Sequence, residues 1–96
     1  MLELRPSCEH CGTKLPPDST EAMVCSFECT FCRACVEGVL ANVCPNCGGG
    51  LERRPVRPAR LLAKHPPATK EVLKPVDEAV FAPLRASQSA VPPHRR

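Results

Sequence analysis

Eight cysteines, all lying between Cys8 and Cys47, limit what this chain can fold into more than any other feature. Their spacing is C-x2-C-x13-C-x3-C-x2-C-x2-C-x8-C-P-x-C. Cys8/Cys11, Cys32/Cys35 and Cys44/Cys47 are C-x-x-C pairs, the separation that brings two sulfurs round one tetrahedral metal. The chain has no Trp or Tyr, and its only aromatic residues are Phe27, Phe31 and Phe81, so it has few large side chains to bury. A segment this short and this poor in aromatics needs a staple, and a structural zinc ion contributes on the order of 10–16 kcal/mol. Disulfides are the other staple that eight cysteines allow. The opening Met-Leu-Glu-Leu-Arg-Pro is not a basic leader followed by an apolar run, and no stretch approaches a membrane span. The expectation is therefore a soluble, cytoplasmic chain, in a compartment that favours thiolates over bridges.

An internal repeat identifies the local structure. Cys8-Glu9-His10-Cys11-Gly12-Thr13-Lys14-Leu15 and Cys44-Pro45-Asn46-Cys47-Gly48-Gly49-Gly50-Leu51 are both C-x-x-C-G-x-x-L. In such a knuckle the chain turns tightly, backbone N–H groups face the sulfurs, and the residue after the second Cys takes a positive φ that costs glycine nothing. Cys32-Arg33-Ala34-Cys35 lacks that glycine and runs into Val36, Val39, Leu40 and Val43, spaced as one helical face. A C-x-x-C opening a helix would sit at the positive end of its dipole, which favours thiolates. Between them, Glu21 to Cys32 predicts a β-hairpin bearing Cys25 and Cys29, with Pro16-Pro17-Asp18-Ser19 as the turn before it. The order is knuckle, hairpin, helix, knuckle.

Composition changes after Gly48-Gly49-Gly50, where cysteine stops and proline becomes frequent. Residues 1–58 are read as a two-zinc cysteine-rich domain. Residues 59–96 are read as a Pro-rich, basic tail, mostly disordered, in which prolines limit any helix to about two turns. Within it Thr69 to Lys74 and Asp77 to Ala82 are candidate short helices, with Thr69 and Asp77 as N-caps. The formal charge of +3 falls to about −1 once eight thiolates and two divalent cations are counted. Residues 1–50 carry three basic and six acidic side chains, residues 51–96 ten basic and four acidic. Any argument from basicity therefore concerns the tail alone.

The eight-ligand order and the closing Cys44-Pro45-Asn46-Cys47 resemble the treble-clef and RING-type zinc modules over residues 8–48. The fold class expected is a small, metal-stabilised α+β module. In RING-type modules ligand pairs alternate between two metals, and the resemblance implies one site from Cys8, Cys11, Cys32 and Cys35 and a second from Cys25, Cys29, Cys44 and Cys47. Sequential pairing, or two knuckles sharing one ion, are the alternatives. Cys29 stands where that family usually has a ligating His, and all-thiolate sites suit structural zinc. Iron is the competing metal, because Cys29-x2-Cys32-x2-Cys35 imitates part of a ferredoxin run, but the next Cys follows only after eight residues. The partner-docking residues of RING ubiquitin ligases are missing apart from Pro45: Glu9-His10 fill the first C-x-x-C, there is no Trp, and Gly48 follows the last Cys.

A closer likeness covers residues 1–58. The stretches Leu2 to Cys11, Pro16 to Met23, Cys25 to Cys32 and Asn42 to Gly50 resemble the signature of a small bacterial family catalogued as domain of unknown function 1272. That resemblance implies a bacterial cytoplasmic zinc protein, and no reaction comes with it. Eight donors for two ions leave no open coordination position, so no enzyme is expected. His10 is read as a solvent-facing knuckle side chain, His65 and His94 as without a role, and Asp18, Glu21 and Glu28 as a solvated face. Two roles remain: docking of a protein partner through the Phe27/Phe31 hairpin or the exposed side of the helix, and nucleic-acid association through the basic strip Arg53, Arg54, Arg57, Arg60 and Lys64.

Overall fold

A computed structural model of the chain describes all residues from Met1 to Arg96. The two knuckles form as near copies. In each, the N–H of the first Cys donates to the carbonyl five residues on (Cys8 to Thr13, 2.9 Å; Cys44 to Gly49, 2.8 Å), and the glycine N–H donates back to the first Cys (Gly12 to Cys8, 3.0 Å; Gly48 to Cys44, 2.8 Å). Gly12 and Gly48 have φ of 78° and 77°, the left-handed conformation the repeat calls for. The leucine closing each repeat, Leu15 or Leu51, is buried.

The hairpin consists of β1 (Ala22–Val24) and β2 (Thr30–Cys32), antiparallel with Met23 opposite Phe31. Its turn carries Cys25 and Cys29 at its two ends, closed by Cys25 N–H to Cys29 O at 3.2 Å, with Glu28 at φ 66°. A third strand, β3 (Glu52–Arg53), pairs antiparallel with the other side of β1, giving the order β2-β1-β3. Two residues with no apolar alternation gave no strand signal, and the pairing follows from where the second knuckle delivers the chain.

The helix is shorter than its apolar face implies. α1 spans Arg33–Glu37 and ends at Gly38, and Ala41 and Asn42 then take positive φ of 49° and 56°. The apolar residues are still used, because Leu40 N–H turns back to Cys35 O and Asn42 N–H to Val36 O, folding the chain so that Val36, Leu40 and Val43 are all buried. A compact turn reproduces the burial that a longer helix would give.

The core is a cluster of fourteen buried residues, of which Cys8, Cys25, Cys29, Cys32, Cys35 and Cys44 are six. A core so rich in thiols and so short of aliphatic bulk depends on what the sulfurs do.

The largest departure from expectation is the tail. Residues 59–96 lie against the cysteine-rich half and include α2 (Glu78–Ser89). Asp77 caps it, its Oδ1 accepting from the N–H groups of Ala79 and Val80 at 3.1 and 3.2 Å. The helix runs through Pro83 rather than stopping there. Tertiary packing offsets the lost hydrogen bond: Phe81 is buried in the core cluster, with Val76 and Leu84 packed on its edge. Thr69 to Lys74 is not helical, because its backbone faces the module, with Ala68 N–H donating to Glu3 O at 2.8 Å and Lys74 N–H to Glu9 O at 2.7 Å. No helix is long and apolar enough to cross a membrane.

Candidate metal centre

The fold gathers the cysteines from separate elements. Cys8 and Cys11 of the first knuckle meet Cys32 and Cys35 at the start of α1, their four sulfurs all within 4.8 Å of one another. Cys25 of the hairpin turn meets Cys44 and Cys47 of the second knuckle within the same limit. Cys29 is not in that set of three. Its sulfur lies beside Cys25 and accepts a hydrogen bond from Asn46 Nδ2 at 3.4 Å. The grouping joins first knuckle to helix and hairpin to second knuckle, so each group ties together parts of the chain far apart in sequence.

Several N–H groups and one hydroxyl face the sulfurs. Phe27 N–H donates to Cys25 Sγ at 3.3 Å and Gly49 N–H to Cys47 Sγ at 3.4 Å. Thr13 Oγ1 lies 3.0 Å from Cys11 Sγ, and this hydrogen bond is the main reason that thiol is lowered to about 6. Burial acts the other way at four cysteines: it is the main cause pushing up Cys29, Cys32, Cys35 and Cys44, with neighbouring thiols adding to the rise. At Cys32 the hydrogen bonds with Cys35 pull the other way, but desolvation outweighs them. Crowded, buried sulfurs of this kind ionise together only if a cation sits among them. All eight cysteines are free, and no His or carboxylate belongs to either group. This donor set fits soft, thiophilic metal ions, and the two groups, of four and three Cys, have the make-up to hold them.

The surroundings assign new roles to residues that the sequence left bland. Glu9 is buried, its carboxylate accepting from Thr30 N–H at 2.5 Å and from the Arg5 guanidinium at 2.9 Å, so it pins the first knuckle to β2. His10 does more than face solvent: its Nδ1 accepts from Val76 N–H at 2.9 Å and docks the tail on the same knuckle. Neither role has a spacing that could announce it.

The basic strip is partly internal. Arg54 is only 2% exposed, and its guanidinium donates to the carbonyls of Arg5, Leu15 and Pro16 at 2.9–3.1 Å. Arg57 donates to Leu2 O and His65 O at 2.7 and 2.8 Å. Farther along, Arg85 donates to Val39 O, and Arg96 to Asn42 O and Gly48 O. These arginines fasten strand and tail to backbone carbonyls, a use suited to a planar fork of donors. Arg53, Arg60 and Lys64 are left with no such partner.

The first 57 residues match the family profile described as "Protein of unknown function (DUF1272)". The chain belongs to that family. It is also 63% identical over 75 residues to "Uncharacterized protein R02474" of Rhizobium meliloti (strain 1021), an alignment covering 78% of this chain and 89% of that protein. No solved structure matches. The family match ends near β3, so this DUF1272 chain carries all eight cysteines inside the shared region and α2 outside it.

Proposed function

We propose that this DUF1272 protein is a non-catalytic zinc module that presents a rigid surface to a protein partner in the cytoplasm. The observation that carries it is the crosswise gathering of cysteine-only groups from both knuckles, the hairpin and the start of α1. Two zinc ions would be held, one by Cys8, Cys11, Cys32 and Cys35, the other by Cys25, Cys29, Cys44 and Cys47, in a RING-like, treble-clef arrangement. Zinc is favoured over iron because the ligands fall into two separate sets rather than one ferredoxin run. Four thiolates per ion leave no open position for water, so the ions would supply structure rather than Lewis-acid chemistry.

The partner surface would centre on the hairpin turn. Phe27 is 71% exposed at its tip, held by the same turn that carries Cys25 and Cys29, whereas Phe31 is buried and unavailable. An exposed aromatic on a rigid, metal-pinned turn is an interface anchor rather than a core residue. Nucleic-acid binding is the less favoured reading, because Arg54 and Arg57 of the strip are committed to carbonyls and the module is acidic.

Metal analysis of the purified protein tests the first part: about two zinc per chain, with loss of structure on chelation, is the expected result. Phe27→Ser should keep both ions and the fold while losing any protein retained by the wild-type chain. A gel shift with duplex DNA or single-stranded RNA should show no salt-dependent binding; salt-sensitive binding lost on replacing Arg53, Arg60 and Lys64 would establish the other reading.

A further inference from the structure

The two cysteine groups differ in how their donors are held, and the difference falls on Cys29. Cys25 and Cys47 receive backbone N–H groups from the turns in which they sit. Cys29 follows the left-handed Glu28 at the far end of the hairpin turn and stands outside the tight set formed by Cys25, Cys44 and Cys47. The donor it receives comes from the second knuckle: Asn46 Nδ2, 3.4 Å from its sulfur. The opposite end of that amide is occupied as well, its Oδ1 accepting from Lys74 Nζ at 3.4 Å. Lys74 is fixed in turn by its own backbone N–H on Glu9 O. A line of contacts thus runs from the tail, through the middle of the second C-x-x-C, to the sulfur of the second group that stands outside its tight set.

We infer that Asn46 is a positioning residue for the second metal site, its side-chain amide holding Cys29 as the fourth donor and Lys74 holding that amide. This rests on the reading of Cys25, Cys29, Cys44 and Cys47 as a metal site. Four thiolates on one divalent cation carry a net −2, and an N–H donated to sulfur withdraws part of that charge while restricting where the ligand can move. Glu9 and Thr13 support the first site by contacts of their own, so Asn46 acts on the second ion alone. The tail, beyond the 57 residues that the family profile matches, thereby acquires a say in how firmly one of two ions is kept.

The test is release of zinc from the fully loaded full-length chain to a chromophoric chelator, together with the sulfur-to-metal charge-transfer band of the cobalt-substituted protein. Asn46→Leu, and Asn46→Asp, which keeps the shape but loses the donor, should speed one release phase about 10-fold or more and leave the other unchanged. Both should shift the charge-transfer band, and Asn46→Gln, which restores an amide N–H, should recover part of the loss. Lys74→Met, at an exposed position outside the cysteine module, should speed the same phase by a smaller factor. Unchanged release in Asn46→Leu and Lys74→Met, or equal acceleration of both phases, overturns the inference. A wild-type chain holding fewer than two ions, or Cys29→Ser retaining both, overturns the underlying site instead.

Discussion

The knuckles at Cys8–Leu15 and Cys44–Leu51 share a sequence pattern, a pair of backbone hydrogen bonds and a left-handed glycine, yet the cysteine groups built on them are unlike. The first joins a second C-x-x-C, and four sulfurs come together. The second joins two cysteines separated by three residues across a hairpin turn, and only one of them enters the tight set. Identical local turns therefore do not make equivalent sites. What the knuckle fixes is its own two sulfurs; the remaining donors depend on the rigidity of the element facing it.

Breaking the groups one at a time is the strongest challenge to that contrast. Cys35→Ser removes a donor from the complete set and leaves three thiols, two of them buried, beside α1, and it should abolish the cooperative fold of the module. Cys29→Ser should cost one ion and leave a folded protein with the first site intact. Thermal melts followed by circular dichroism, with metal content measured in parallel, distinguish the two; equal damage from both would erase the distinction.

The tail supplies the next contrast, since it is fastened by a phenylalanine and by arginines rather than by sulfur. Phe81→Ala empties a buried position of the core cluster and should cost about 3–5 kcal/mol. The expected readout is rapid proteolysis within residues 59–96 while both ions stay bound. Arg54→Met strands three backbone carbonyls and should cost about 2–4 kcal/mol, acting on the module itself rather than on the tail.

The smallest effects sharpen the comparison of the knuckles. Gly12→Ala and Gly48→Ala each force a side chain into left-handed backbone at a cost of about 1–2 kcal/mol. At Gly12 the new Cβ meets only Leu73 at 3.7 Å, whereas at Gly48 it meets Gln88 and Leu84 of α2 at 3.5 and 3.6 Å. Chemical denaturation should therefore show similar losses in the two variants, with added proteolytic sensitivity of α2 in Gly48→Ala alone.

Much of this was legible because the strongest signals are local. The C-x-x-C-G-x-x-L repeat specifies turn, φ and buried leucine in eight residues, and the hairpin follows from Ala22 to Phe31 in the same way. Three features were not legible, each for a physical reason. β3 is two residues long and carries Glu52 and Arg53, so it has no alternation to detect. The apolar face from Val36 to Val43 fits a helix, but Gly38 and the left-handed Ala41 and Asn42 bury the same residues in a turn. The tail's prolines suggest disorder, yet its order comes from long-range contacts, Phe81 in the core and arginine donors on distant carbonyls, which have no sequence period. Arg54 shows the same limit from the other side: a basic strip on paper contains one of the most buried side chains in the molecule.

The central claim is that cysteine groups close around two metal ions, and native mass spectrometry of the protein purified without added metal tests it most directly. The account predicts one dominant species, the reduced chain plus two zinc ions, falling to one zinc in Cys29→Ser. A metal-free chain whose mass is lowered by disulfide formation, or a chain carrying an iron–sulfur cluster, would contradict it.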